Sequence, residues 1–258
     1  MTFKWLFAIC MLLYVIYYSF NDEVPVNPTV ETHGFTYWKT HTELHEMSPV
    51  QKRIAIAPEV LSKLPDGYVL MDYYYYIKGC SLSTFHRDVT SGQKYFQTHY
   101  PTYTVIMYEY AGDFLSICPH SHQQFPFVWQ RPVVVSGETN TIVIFNADML
   151  HCGTINQVGD KRKVLQFKVV HSDDYERLTA LDNIRLEKKE DCGKVSYASE
   201  FAMRLLSFHF AWLFNSVCYP LMQRKLPGGV GGLLQNLVPI SFYNNQAPNT
   251  SAKVSDAS

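Results

Sequence analysis

Short apolar runs separated by turn-forming residues dominate the middle of the chain. They occupy residues 67–77, 102–110, 131–137, 141–145 and 164–170 and are rich in Val, Ile, Tyr and Phe. Such β-branched and aromatic side chains favour strands, whereas Gly, Pro and Asn between the runs favour turns. The pattern therefore predicts a mainly β domain with flanking helices, built as a sandwich or a barrel.

Helical patterns are predicted on both sides of this β region. Residues 42–47 predict a short helix, and residues 48–64 predict a second helix that is interrupted at Pro58. After the β region, the charged residues 174–191 are predicted to be partly helical. The apolar residues 201–222 are interpreted as a helix packed against the domain, with a membrane contact as the alternative.

The first apolar run of the chain, Trp5–Phe20, contains no charged residue. Its length approaches the ~20 residues that cross a bilayer, and no small-residue cleavage site follows it. We therefore predict a transmembrane signal anchor, with a cleaved signal peptide as the alternative. Lys4 before the run and Asp22 after it favour a cytoplasmic N-terminus. The main domain would then face the lumen of the endoplasmic reticulum or Golgi, or the cell exterior.

These patterns divide the chain into five predicted segments, each with its own composition. They are a transmembrane signal anchor (1–22), a linker and N-terminal helical region (23–66), a β core (67–173), a helical, apolar C-terminal region (174–243) and a disordered tail (244–258).

Charge and cysteine content exclude several classes of protein. The formal net charge is -1, so the chain has no basic field to gather nucleic acid, and no nucleic-acid partner is expected. None of the six cysteines forms a CxxC pair, which argues against a zinc ribbon or a thioredoxin-like motif. Their spacing leaves the disulfide state open.

Two histidines and one aspartate form a candidate metal site. His86 and Asp88 are separated by one residue, so on a strand both point to the same side. His151 follows the apolar run 141–145, and closure of a barrel would bring it opposite that pair. Two histidines and a carboxylate bind ferrous iron on one face and leave the other face open. Arg162, further along, can clamp a carboxylate of a diacid co-substrate through two hydrogen bonds.

Two further histidine pairs compete for a metal-binding role. His120 and His122 lack the Glu that would complete a cupin-type motif, and His41 and His45 lack the Glu of a zinc protease motif. We interpret both pairs as structural or supporting.

The motifs taken in order resemble those of the Fe(II)/2-oxoglutarate-dependent dioxygenases, and within them the phytanoyl-CoA hydroxylase-like group. The resemblance spans residues 68–172. It rests on FHRD (85–88), FLSICPHSH (114–122), ETNTIVIFNADMLHCGTIN (138–156), Arg162 and VLQF (164–167).

The resemblance implies a double-stranded β-helix, a form of jelly roll, in which His86, Asp88 and His151 ligate Fe(II). It also implies that Arg162 binds the C5 carboxylate of the co-substrate 2-oxoglutarate, and that O2 is the oxidant. Lys161 or Lys163 is the alternative partner of that carboxylate, since a lysine has this role in related prolyl hydroxylases. Retention of Asp88 argues against a halogenase.

The expected function is hydroxylation of a C–H bond in a lipid or other small organic substrate, with succinate and CO2 as co-products. A peptidyl (prolyl- or lysyl-type) hydroxylase of the secretory pathway is one alternative. A non-catalytic membrane scaffold that retains the barrel is the other.

Overall fold

A computed structural model describes residues 3–79, 84–88, 98–124, 128–154, 162–190 and 197–211. The three α-helices are α1 (Phe3–Ser19), α2 (Pro49–Leu61) and α3 (Tyr197–His209). The strands are β1 (Phe35–Lys39), β2 (Tyr68–Gly79), β3 (Tyr103–Tyr108), β4 (Gly112–Ile117), β5 (Val133–Gly137), β6 (Thr141–Asn146), β7 (His151–Gly153), β8 (Lys163–His171) and β9 (Ile184–Glu190). Short 3-10 helices span Ser121–Gln123 and Ser172–Leu181.

The strands form two sheets, and the chain alternates between them. One sheet has the order β1-β6-β3-β8-β2-β9, and the other has the order β5-β4-β7. All neighbours are antiparallel except β2 and β9, which are parallel. The chain passes from β3 to β4, from β5 to β6, from β6 to β7 and from β7 to β8 by changing sheet. The predicted mainly β architecture is confirmed, and its arrangement is that of a jelly roll.

The space between the two sheets is filled by apolar side chains from both. In strand β6, the four residues 142–145 are all apolar because both faces of the strand are buried. Val143 and Phe145 point between the sheets, whereas Ile142 and Ile144 point to the opposite face, toward the core under α2. A strand buried on both faces needs a continuous apolar run. The inter-sheet core comprises Phe35, Ile106, Tyr108, Tyr110, Phe114, Leu115, Ile117, Val133, Val135, Val143, Phe145, Met149 and Val164.

Helix α2 packs on the outer face of the larger sheet. A capping box begins it, because the Ser48 hydroxyl accepts from the Gln51 amide while the Gln51 side chain accepts from the Ser48 amide. The predicted interruption at Pro58 was wrong, since the helix continues through it. Ile56 and Val60, on either side of this proline, are fully buried in the core, and their packing holds the helix together.

The structure differs from the sequence-based expectations at several further elements. Residues 42–47 form turns instead of a helix. Strands β1, β4 and β7 were not predicted, although each pairs with a neighbouring strand. Residues 174–191 were predicted to be partly helical, and Ser172–Leu181 is a 3-10 helix, but strand β9 in the same region was not predicted. Alternating charged and apolar residues suit an edge strand, and β9 occupies the edge beside β2.

Helix α1 is an exposed apolar helix. Its 17 residues have a length of about 26 Å. In the part of the chain that the structure describes, no helix is both long enough and apolar enough to cross a membrane. The predicted transmembrane signal anchor therefore remains a prediction. Tyr18 is its buried residue, and the Tyr18 hydroxyl donates to the Trp129 carbonyl (2.8 Å).

Helix α3 packs on the outer face of the smaller sheet, as expected for the start of residues 201–222. Arg204 donates to the carbonyl of Gly153 (3.3 Å) and to the Ser116 hydroxyl. Residues 212–222, the predicted disordered tail, Cys80, Cys192 and Cys218 lie outside the described residues. Cys10, Cys118 and Cys152 are free thiols.

Candidate metal centre

Main-chain pairing brings the FHRD segment against strand β7. The amide of His86 donates to the carbonyl of His151 (2.9 Å), and the amide of His151 donates to the carbonyl of His86 (3.0 Å). Two residues later, the Asp88 amide donates to the Ala147 carbonyl (2.9 Å). Such a reciprocal pair places the two histidines directly opposite each other, with ring centroids 4.4 Å apart.

The side chains of His86, Asp88 and His151 converge at one buried point. Asp88 Oδ1 lies 3.8 Å from His86 Nε2 and 3.6 Å from His151 Nε2. One ligand atom from each residue lies within 4.8 Å of the other two. Bonds of about 2.1 Å from a shared cation to nitrogen and oxygen ligands are compatible with this spacing. This triad is the only group of three metal-binding side chains found among the described residues.

Both histidines are oriented by main-chain oxygens two residues earlier in the chain. Nδ1 of His86 lies 2.9 Å from the carbonyl oxygen of Thr84, and Nδ1 of His151 lies 2.9 Å from that of Met149. A proton on Nδ1 that is donated to this oxygen leaves the lone pair on Nε2, which a metal ligand requires. Burial lowers the pKa of His86, and burial together with the neighbouring His86 lowers the pKa of His151 to about 3. Both rings are therefore neutral at pH 7.

The two carboxylate oxygens of Asp88 have different surroundings. Oδ2 accepts hydrogen bonds from the Thr104 hydroxyl and the Lys168 ammonium. Oδ1 faces the two histidines and, within the described chain, accepts no hydrogen bond. Burial alone would raise the pKa of Asp88, but the charge of Lys168 and the hydrogen bond that it donates hold this pKa well below its ordinary value. A buried carboxylate oxygen without a partner is costly, and a cation at this point would provide one. The residues therefore fit a metal.

Arg87, between the two ligand candidates, points to the opposite side of the segment. Its guanidinium donates to the carbonyls of Ser121 (2.9 Å), Gln124 (2.7 Å) and Asp148. Arg87 is buried, so these hydrogen bonds satisfy a charge that has little access to water. They attach the segment to the loop around Ser121–Gln123 and to the turn before β7.

Arg162 lies immediately before strand β8, with its side chain buried. Its carbonyl accepts from the Gly79 amide (3.0 Å), and its guanidinium donates to the Gly79 carbonyl (3.4 Å). Burial raises the pKa of Tyr110, and the hydrogen-bonded Arg162 opposes that shift. The neighbouring Lys163 is exposed, on the opposite face of the strand. Of the two alternative lysines, Lys163 thus points away from the interior, and Lys161 lies outside the described residues.

The other histidine pairs do not form a metal cluster in the described chain. His120 has a left-handed backbone (φ 60°), and its amide donates to the His33 carbonyl (3.1 Å). Burial and the nearby His120 lower the pKa of His122 to about 4. His41 and His45 lie in an exposed loop, and so they share no helix face.

Sequence analysis missed Lys168, Thr104 and Arg87. One signal was present, because Lys168 is the only charged residue in the strand sequence VLQFKVV (164–170). A lysine at such a position must have a buried partner.

The sequence matches no protein-family model and no curated protein. Among solved structures, it is similar to HygX from Streptomyces hygroscopicus with nickel and 2-oxoglutarate bound, with a TM-score of 0.42 and 14% identity over 55% of this chain and 84% of HygX. It is also similar to the non-heme monooxygenase ThoJ in its nickel complex (TM-score 0.40, 13% identity, 56% of this chain and 76% of ThoJ).

A third similar structure is SnoN, a non-heme alpha-ketoglutarate-dependent epimerase from nogalamycin biosynthesis. Its TM-score is 0.37, with 10% identity over 62% of this chain and 83% of SnoN. These likenesses are distant, so the function of this chain is inferred from its own residues.

Proposed function

We propose that this protein is an Fe(II)/2-oxoglutarate-dependent dioxygenase that hydroxylates a C–H bond. The observation that carries the proposal is the buried Oδ1 of Asp88, which faces Nε2 of both His86 and His151 and accepts no hydrogen bond within the described chain. When bound together, iron, 2-oxoglutarate and O2 supply the oxidising chemistry, with succinate and CO2 as co-products.

The protein's own residues hold and shield these groups. His86, Asp88 and His151 occupy one face of the metal and leave the opposite positions open. The jelly-roll interior excludes water from this point, since all three side chains are buried. Arg162 pairs with the C5 carboxylate of 2-oxoglutarate through its planar guanidinium.

The position of Arg162 favours the phytanoyl-CoA hydroxylase-like group within this superfamily. Ten residues separate it from His151, which fits the resemblance to that group, and it directly precedes β8, the last strand of the double-stranded β-helix. Its burial, beside the exposed Lys163, supports Arg162 as the residue that binds the co-substrate.

The proposal is tested by adding Fe(II) and 2-oxoglutarate to the full-length protein without oxygen. A visible charge-transfer band is expected in the wild type and not in Asp88→Ala. On admission of air, the wild type should form succinate. Absence of both signals from folded wild-type protein would refute the enzyme and favour the non-catalytic scaffold.

The proposed substrate is a lipid or another small organic molecule, and the exposed helix α1 favours a lipid. Apolar side chains are exposed at the consecutive residues Trp5, Leu6 and Phe7 and again at Met11, Leu12 and Leu13 of this helix. Successive residues turn by about 100°, so apolar surface faces every direction. Lipid can cover such a helix on all sides, whereas a protein groove covers one face. We therefore propose that α1 attaches the protein to a membrane.

Flotation of the full-length protein with phosphatidylcholine vesicles tests this attachment. The wild type should float with the vesicles, and the double variant Leu12→Glu/Leu13→Glu in α1 should not. Ile54→Glu is the matched control, because Ile54 is an exposed apolar residue of α2. Wild-type protein that stays at the bottom of the gradient would contradict the attachment. In a separate assay, 2-oxoglutarate turnover measured with lipid pools and with peptide pools would distinguish a lipid hydroxylase from a peptidyl hydroxylase.

A further inference from the structure

Lys168 is a buried cation that the proposed chemistry does not itself use. It lies in strand β8 between apolar neighbours, and its side chain is 1% exposed. Its ammonium donates to Asp88 Oδ2 and to the Thr104 hydroxyl (2.6 Å), and lies 5.9 Å from the ring centre of Tyr73. Taking an ammonium out of water is costly unless it is paired and hydrogen-bonded. A lysine at this position needs a reason beyond filling space.

The sheet register explains why two donors meet at one oxygen. Lys168 of β8 and Thr104 of β3 are direct cross-strand partners, so their side chains project side by side into the interior. The Thr104 hydroxyl donates to Asp88 Oδ2, the same atom that accepts from Lys168. An oxygen that accepts two hydrogen bonds has little capacity left for a third partner.

An ammonium has no lone pair and cannot bind a metal. Lys168 therefore closes the Oδ2 side of the carboxylate, while Oδ1 stays directed at Nε2 of His86 and His151. Without Lys168 and Thr104, the carboxylate would be free to turn and chelate the ion through both oxygens. Chelation would occupy one of the positions that 2-oxoglutarate and O2 require.

We propose that Lys168 and Thr104 are positioning residues that make Asp88 a ligand through Oδ1 alone. This inference rests on the proposed metal site and adds the reason why that site keeps its remaining positions open. Neither residue contacts the metal, and both act through Asp88. Outer partners of this kind typically change metal affinity about 10-fold to 100-fold when they are removed.

Cobalt(II) binding to the full-length protein tests the proposal without turnover. The variants are Thr104→Val, which keeps the shape and removes the hydroxyl, and Lys168→Met, which removes the charge. Lys52→Met is the matched control, because Lys52 forms a partly buried ion pair with Glu109 (2.7 Å) that lies outside the candidate site. The measurements are the dissociation constant for Co(II), the visible Co(II) spectrum at saturation, and the melting temperature.

We expect Thr104→Val to bind Co(II) about 10-fold more weakly, and the spectra of both Thr104→Val and Lys168→Met to change at saturation. Lys52→Met should lower only the melting temperature. Wild-type spectra in both site variants would overturn the proposal, whatever their melting temperatures. If the wild type does not bind Co(II), the metal site itself fails, so the two failures are distinguishable. Should Lys168→Met not fold, the near-isosteric Thr104→Val still decides the outcome.

Discussion

Asp88 and Lys168 form an ion pair in which both side chains are 1% exposed. Two charges so deeply buried depend on each other, because removing one leaves the other without compensation. In the metal-free protein, the loss of stability caused by replacing one of these residues should therefore depend on whether the other is still present.

A double-mutant cycle measures this dependence. Asp88→Ala should lower the free energy of unfolding by about 3–5 kcal/mol, because the Lys168 ammonium is left buried and unpaired. Asp88→Ala/Lys168→Met should be more stable than Asp88→Ala alone. Urea unfolding in the presence of a chelator gives the values. Additive effects of the two substitutions would show that the charges do not interact.

Arg162→Met should raise the KM for 2-oxoglutarate and leave the dissociation constant for Co(II) unchanged. The reason is that a guanidinium binds a carboxylate through two charge-assisted hydrogen bonds, while the three proposed metal ligands remain. Lys163→Met is the control, because Lys163 is exposed on the opposite face of β8. Equal KM values for Arg162→Met and wild type would assign the C5 carboxylate to another residue.

Arg87→Met should destabilise the protein and weaken the metal site together. Loss of hydrogen bonds from a buried guanidinium to three carbonyls should cost at least about 2 kcal/mol. The Co(II) dissociation constant should also rise, because His86 and Asp88 flank Arg87. For comparison, Arg185→Met removes an exposed pair with Asp72 and should cost less than about 1 kcal/mol. Unfolding curves and Co(II) titrations provide both readouts, and similar losses in the two variants would contradict the assigned role.

Glu59 should contribute to stability above its ordinary pKa and lose that contribution on acidification. Burial by itself would raise the pKa of Glu59, but hydrogen bonds from Thr42 (2.5 Å), Trp38 (2.9 Å) and Thr40 (2.7 Å) lower it below the ordinary value. A lowered pKa means that the folded state favours the ionised form, so protonation as the pH falls destabilises it. The urea midpoint of Glu59→Gln should therefore fall less than that of the wild type between pH ~6 and pH ~3, where the wild-type carboxylate becomes protonated. An equal decrease in the urea midpoints of the wild type and Glu59→Gln would exclude this contribution of Glu59.

Local patterns in the sequence predicted the centre of the molecule well. Strands β2, β3, β5, β6 and β8 lie within about two residues of the apolar runs that predicted them. His86 and Asp88 were recognised as a pair because alternation on an extended segment needs only their spacing. That His151 meets them depends on pairing between distant segments, which the order of the motifs indicated and the register shows.

Features that depend on tertiary neighbours were not predictable in the same way. Strand β9 reads IRLEKKE, which is a charged sequence, and it forms a strand because it pairs with the edge of β2. Pro58 would break an isolated helix, but packing of Ile56 and Val60 holds α2 continuous. The sequence showed that Lys168 is a single charged residue in an apolar strand. Only the fold showed that its partner is Asp88.

The hydroxyl of Ser207 in α3 accepts a hydrogen bond from the Phe85 amide (2.8 Å), one residue before His86. The end of the described chain thus braces a segment more than a hundred residues earlier. A shortened fragment ending at residue 196 would keep every ligand candidate and lose this brace. Boundaries for recombinant work are therefore better set by the position of α3 than by the positions of the ligands.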